Sequence, residues 1–165
     1  MSADDLISEI NRANERAAYQ AALDMALPAL KDSENDYALW IAAGNAYYGL
    51  KQFESARRAY LKAADLCPRD VIALSNLAGV YFETGRFTDG LAVCDQALQR
   101  RPDYLNAHIH RGNMLSSLDR YDEAAAAYST ALETAPEDPL VLFNLAYALV
   151  MTGQYDKAAG IYRRL

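Results

Sequence analysis

The chain echoes itself every 34 residues, and that recurrence restricts its fold more than any single residue does. Pro68, Pro102 and Pro136 stand in register, as do Ala63, Ala97 and Ala131. The same spacing relates Gly44, Ala78, Gly112 and Ala146, then Ala56, Gly90, Ala124 and Ala158, then Phe53, Phe87, Tyr121 and Tyr155. A period of roughly 20 to 50 residues marks a stacked array, in which each unit buries its apolar face against its neighbours. Small residues at fixed places let paired helices approach to the short end of the ~8–10 Å range for helix axes. Each closing proline ends a helix, because it lacks the N–H that the next turn needs and its ring clashes with the preceding one. Asp70, Asp103 and Asp138 follow the prolines, where a carboxylate suits the exposed amides of a helix start.

The set Trp40, Ala43-Gly44, Tyr47, Ala56, Tyr60 and Pro68 resembles the tetratricopeptide repeat, whose pattern is an early Trp, Leu-Gly, Tyr, then Ala, an aromatic and a closing Pro. The resemblance implies an all-α fold, a right-handed α-α superhelix built as a solenoid of antiparallel helix pairs. Complete repeats are expected over 37–70, 71–104 and 105–138, with a partial C-terminal repeat over 139–165. Residues 1–36 are expected to form a degenerate repeat or helical cap. There Tyr19, Ala22 and Ala29 echo Phe53, Ala56 and Ala63, but Glu9 and Ile10 fall where Ala43 and Gly44 should be echoed. Pro28 is expected to kink or shorten its helix after Leu27.

Composition narrows the function. The chain is 52% hydrophobic, yet no apolar run approaches the ~20 residues of a membrane span. The acidic N-terminus MSADDLISEINRANER lacks an apolar signal core, which favours a cytoplasmic location. A net charge of -6 argues against nucleic acid as a partner. Cys67 and Cys94 lack metal-ligand spacing, and Cys94, standing where Tyr60, Tyr128 and Tyr162 stand in other repeats, reads as a buried small apolar residue. His108 and His110 are two apart on a predicted helix, so they diverge by ~200° and cannot share a metal. His108 is in register with Trp40 and reads as a packing residue. No Ser-His-acid set, phosphate loop or helical metal pair is present, so no catalytic residue, metal or cofactor is expected.

Binding residues are expected along a second stripe of each first helix, at 38, 41, 45 and 48 in the first complete repeat. Stacking aligns such stripes as the concave wall of a superhelix. Its members by register are Ile41, Ser75, Ile109 and Phe143, then Asn45, Gly79, Asn113 and Tyr147, then Tyr48, Phe82, Ser116 and Val150, and Ile72 and Leu140 add to it. Large apolar groups gathered on a water-facing wall point to a partner. Beside them Asn76 and Asn144 are in register, with Ala42 and His110 at the other two levels. This series resembles the asparagine ladder of some tetratricopeptide superhelices, whose side-chain amides hold the backbone of an extended peptide. An amide suits that task because it both donates and accepts. His110 would make a pH-sensitive rung. The family's dicarboxylate clamp fits less well, since Asn45 and Asn76 match its amides but Ile41 stands at a lysine place.

The expected function is that of a non-enzymatic adaptor or scaffold that holds a protein or peptide segment bearing apolar side chains in its concave groove. Two other readings stay open, the recognition arm of a larger enzyme such as a transferase and a bacterial secretion-type chaperone for an exported client. The last helix, Tyr155 to Leu165, is expected to leave Ala158, Ala159, Tyr162 and Leu165 partly exposed and to mediate self-association.

Overall fold

The structure is a computed structural model that describes residues 2–165. Among the described residues there are ten α-helices and no strand. In chain order these are α1 (Ala3–Glu15), α2 (Tyr19–Asp32), α3 (Tyr37–Gly49), α4 (Phe53–Leu66), α5 (Ile72–Glu83), α6 (Phe87–Arg100), α7 (Leu105–Ser117), α8 (Tyr121–Thr134), α9 (Pro139–Met151) and α10 (Tyr155–Tyr162).

The turns inside the successive helix pairs are built alike, and their register repeats the period of the sequence. Ala17, Lys51, Gly85, Asp119 and Gly153 all adopt positive φ, at 57°, 58°, 69°, 58° and 74°. Each donates its N–H three residues back, as Lys51 does to Tyr48 O at 2.9 Å, and its successor donates five residues back, as Gln52 does to Tyr47 O at 2.8 Å. This is the Schellman arrangement, which satisfies the last carbonyls of the first helix and reverses the chain. Because Ala17 shares the register, the N-terminal pair turns as the others do, although its sequence pattern has decayed.

Between pairs, helix starts are capped at another set of positions in register. Asp36 accepts from the Leu39 amide at 3.1 Å, Asp70 from Ile72 at 2.8 Å, and Asp138 from Leu140 at 2.9 Å and Val141 at 3.1 Å. Asp103 does not cap. The N-cap of α7 is Tyr104, in register with Asp70 and Asp138, so the carboxylate lies one residue too early to reach the helix amides.

Trp40 and His108 explain their shared register through one hydrogen bond. Trp40 Nε1–H donates to Glu34 O at 2.7 Å, and His108 Nε2 lies 2.7 Å from Pro102 O, where a carbonyl can only accept. Each ring therefore ties its helix to a carbonyl six residues upstream.

The helices form two compact units, Met1–Val80 and Tyr81–Leu165, with the division inside α5. In the first unit a core of Ile10, Ala22, Leu23, Ala26, Leu30, Leu39, Ala42, Ala43 and Ala46 joins α1, α2 and α3. Ile10, which replaces a small residue, is fully buried. In the second unit Leu115, Ala124, Tyr128, Ala131, Val141, Leu145 and Leu149 join α7, α8 and α9, and Ala158 adds α10.

Three expectations change here. α2 runs through Pro28 to Asp32 instead of shortening after Leu27. Pro28 and Asp24 are both exposed, so water can satisfy the carbonyl that loses its donor. α10 stops at Tyr162, and Ala158 is 1% exposed because its methyl lies in the core of the second unit, whereas Tyr162 and Leu165 are exposed as expected.

Candidate peptide-binding surface

In the first unit, the amides at 45 and 76 meet. Asn45 Oδ1 accepts from the Tyr60 hydroxyl at 2.8 Å and from Asn76 Nδ2 at 3.2 Å. Tyr60 sits on α4, and its ring lies where any side chain on Gly44 would have to go. Burial pushes the Tyr60 hydroxyl's pKa upward, so it stays a neutral donor. Ile41 is half-buried, and the half-buried Tyr48 ring meets Phe53 edge-on, 5.7 Å between centroids. Ser75 is an exception among the expected wall residues. It is 2% exposed, on a helix most of whose residues are buried.

The second unit repeats the amide arrangement 68 residues on. Asn113 Oδ1 accepts from the Tyr128 hydroxyl at 2.7 Å and from Asn144 Nδ2 at 3.3 Å. Here the amides open onto a pocket of about 320 Å³ lined by Phe82, Asn113, Ser116, Ser117, Tyr128, Asn144 and Tyr147. Phe82 is half-buried against Phe87, with centroids 5.9 Å apart, so it forms a wall of the pocket and not a free surface. Phe143 and Tyr147 remain exposed, at 53% and 44%, although Phe143 is edge-on to Tyr162 at 6.5 Å and Tyr147 to Tyr121 at 6.1 Å. Ile109 is half-buried against the core of α7 to α10. His110 is half-buried too, and loss of solvation lowers its pKa below the ordinary histidine value.

Five of the expected residues thus line one pocket in the second unit, namely Phe82, Asn113, Ser116, Asn144 and Tyr147, with Phe143 on the same helix as the last two. Tyr128 and Ser117 line it as well. The signal for Tyr128 was a recurrence of Gly-Asn followed by Tyr fifteen residues beyond the Asn, at 44-45 with 60 and again at 112-113 with 128. A larger cavity, about 560 Å³, lies between α8, α9 and α10 over Ala125, Ala126, Leu145, Leu149 and Ile161, and none of the paired amides reaches it.

Chemically, the pocket can hold an apolar side chain between aromatic rings while the amides bond a peptide group. Among the described residues no cluster of His, Cys, Asp and Glu could hold a metal, and no helix is long and apolar enough to cross a membrane.

Comparison with known proteins agrees with this architecture. Among solved structures, MamA from Desulfovibrio magneticus RS-1 superposes with a TM-score of 0.84 over 98% of this chain and 91% of that one, at 17% identity. TTC0263, a thermophilic TPR protein in Thermus thermophilus, gives 0.81 over 99% and 89%, at 21% identity. At such identities these likenesses show the fold alone. Hsp70-Hsp90 organizing protein 1 of Glycine max is 44% identical over 116 residues, 63% of this chain and 20% of its own length. Human DnaJ homolog subfamily C member 7 is 31% identical over 90 residues, 54% of this chain and 18% of its own length. The chain spans about a fifth of the length of the curated relatives it matches. The family model described as tetratricopeptide repeat matches residues 41–104 and 111–165, so the chain belongs to the tetratricopeptide repeat family.

Proposed function

We propose that the chain is a non-enzymatic adaptor that holds a protein segment against the surface of α7 and α9, with the segment's apolar side chains beside Phe143 and Tyr147. The carrying observation is that these two exposed aromatic residues share one helix with Asn144, whose amide joins Asn113 at the pocket. Water-facing aromatic surface next to unsaturated amides suits a partner that brings both apolar groups and a main chain. At about 320 Å³ the pocket is at the low end of the ~300–1,000 Å³ typical of small-molecule sites, a size that fits side chains better than a cofactor. Organizing proteins among the relatives support protein binding as the general role.

The test is selection of peptides on the full chain from a displayed library of random dodecapeptides, followed by anisotropy titration of the best binder. Replacing a central aromatic anchor by a charge costs upward of ~2 kcal/mol, so Phe143→Asp should weaken binding more than about tenfold. Lys157→Ala, at the other cavity, should leave it unchanged. Equal affinity of wild type and Phe143→Asp would refute the site.

Exposure of Tyr155 (67%), Leu165 (53%) and Tyr162 (43%) supports a second proposal, that the chain self-associates through α10 and the residues that follow it to Leu165. Sedimentation should show a mass rising with concentration, and a monomer at all concentrations would contradict it.

A further inference from the structure

We infer that a second copy of this chain docks on α9, antiparallel about a two-fold axis near Leu145 and Ala146, with Leu140 opposite Met151 of the other copy and Phe143 opposite its Tyr147. This docking rests on the self-association reading proposed above, and it excludes the peptide-bound state because it covers Phe143 and Tyr147.

Apart from Pro139 at its start, the exposed residues of α9 are Leu140, Phe143, Tyr147 and Met151, and all four are large and apolar. Leu140 is 76% exposed and Met151 47%. Spacings of three, four and four residues put them on one stripe, the pattern of a helix that packs against another helix. The other sides of α9 are occupied within the second unit by α7, α8 and α10. Tyr162 widens the stripe, since its ring meets Phe143 edge-on. By contrast, the exposed Leu27, Leu61, Ile72 and Leu118 lie far apart in the chain. Scattered apolar residues of that kind are ordinary, whereas a continuous stripe marks an interface.

Three observations select a second copy as the occupant. α9 has no charged residue, so two copies can bring it face to face although the chain carries a net charge of -6. The stripe is also self-complementary. Reversed end for end, it sets Leu140 against Met151 at both edges and Phe143 against Tyr147 twice at the centre, as an isologous contact requires. Finally, α1 of another copy is no match for it, because α1 exposes Asp4, Asp5, Glu9, Arg12 and Glu15, whose charges would lose water against the stripe and gain no partner. Orientation follows from the charges at the helix ends. Asp138 caps the N-terminus of α9, and Glu137 precedes it. Parallel helices would set these carboxylates beside their own copies. Antiparallel helices separate them by the length of the 13-residue helix, ~20 Å, well beyond the ~8 Å over which charges act in physiological salt.

The test is sedimentation of the full chain with charge-swapped variants at Met151, whose exposed side chain can change without disturbing the core. Antiparallel docking places position 151 beside Leu140 and close to Asp138 of the other copy. Met151→Lys keeps an apolar stem and brings an ammonium toward that carboxylate, whereas Met151→Asp brings a second carboxylate. The dimer of Met151→Lys should therefore be at least about tenfold tighter than that of Met151→Asp. Gln99→Lys and Gln99→Asp, on an exposed residue of α6, change the net charge by the same steps and should give equal dimers. Excess library-selected dodecapeptide should return the wild-type chain to a monomer. A contrast at Met151 no larger than at Gln99, a wild-type chain that stays monomeric at all concentrations, or a dimer that persists with peptide bound would overturn the inference. If no peptide binds the wild-type chain, the groove reading alone fails, and the contrast between the Met151 variants decides the docking.

Discussion

Two glycine-to-alanine changes on helices of the second unit should move stability in opposite directions. At Gly112 on α7, an added methyl carbon would lie 2.5 Å from Tyr128 Cε1 and 2.8 Å from Cδ1 and Cζ. Carbon atoms normally rest ~3.5–4.0 Å apart, so ring and helix must separate by about 1 Å. Tyr128 is 2% exposed and its hydroxyl is held by Asn113 at 2.7 Å, which leaves the ring no rotamer to escape into. Overpacking of this kind costs ~1–3 kcal/mol, and displacement of the hydroxyl adds up to ~1 kcal/mol. The gain in helix propensity returns only ~0.5–1 kcal/mol. Gly112→Ala should therefore destabilise by about 2 kcal/mol. At Gly160 on α10 nothing lies within 4 Å of the added carbon, so only the propensity gain remains and Gly160→Ala should stabilise by up to ~1 kcal/mol. Urea unfolding followed by circular dichroism measures both, with the midpoint shifting down for one and up for the other at unchanged slope. A Gly112→Ala protein as stable as wild type would refute the close approach of α7 and Tyr128. The sequence carries a built-in comparison, because Gly44 and Gly112 are each followed sixteen residues later by tyrosine, whereas Ala78 is followed by Cys94. Pairing Gly112→Ala with Tyr128→Cys should accordingly recover at least ~1 kcal/mol relative to the sum of the single changes.

Lys51 holds φ at 58° without being glycine, so Lys51→Gly should raise stability by ~0.5–1 kcal/mol, read as a higher urea midpoint. Asp119→Gly at the same register should gain less, since Asp119 also accepts from the Tyr121 hydroxyl at 2.6 Å. Burial, with Asp95 adding to it and Arg111 opposing, pushes the Cys94 thiol up to about 12. A thiol reagent at about pH 8 should thus label only exposed Cys67 in the native protein and both cysteines in denaturant. Because burial lowers the folded-state pKa of His110, the unfolded chain binds its proton more readily. That part of the stability is complete above the ordinary value of about 6.5 and is lost as pH falls through it toward the folded value. The fall in urea midpoint between about pH 7.5 and about 5.5 should be shallower in His110→Gln than in wild type, and equal slopes would contradict the burial of His110.

Much of the fold was legible because close packing writes itself into residue size. A glycine under Tyr60 and another under Tyr128 report helix contacts directly, and Pro68, Pro102 and Pro136 mark where helices stop. The left-handed turn residues were only partly legible, since Ala17 and Lys51 carry no sequence mark of positive φ and Asp119 only a weak one. The role of position 40 was hidden for a different reason. Trp40 and His108 share only a ring N–H, and its acceptor is a loop carbonyl that no side-chain pattern records. Asp103 misled because the chain reaches its helix one residue later than the aspartate suggests. At the site, register placed Asn113 and Asn144 on one wall, but Tyr128, whose hydroxyl hydrogen-bonds Asn113, comes from a different helix. Ser75 was placed on the wall by its register but is buried.

Where a bound segment lies decides between the pocket at α7 and α9 and the larger cavity between α8, α9 and α10 most directly. With p-benzoylphenylalanine in place of Tyr147 in one protein and of Lys157 in another, irradiation with the selected dodecapeptide should give a covalent adduct at position 147 and none at 157. An adduct at 157 with none at 147 would place the partner in the other cavity and contradict the proposed site.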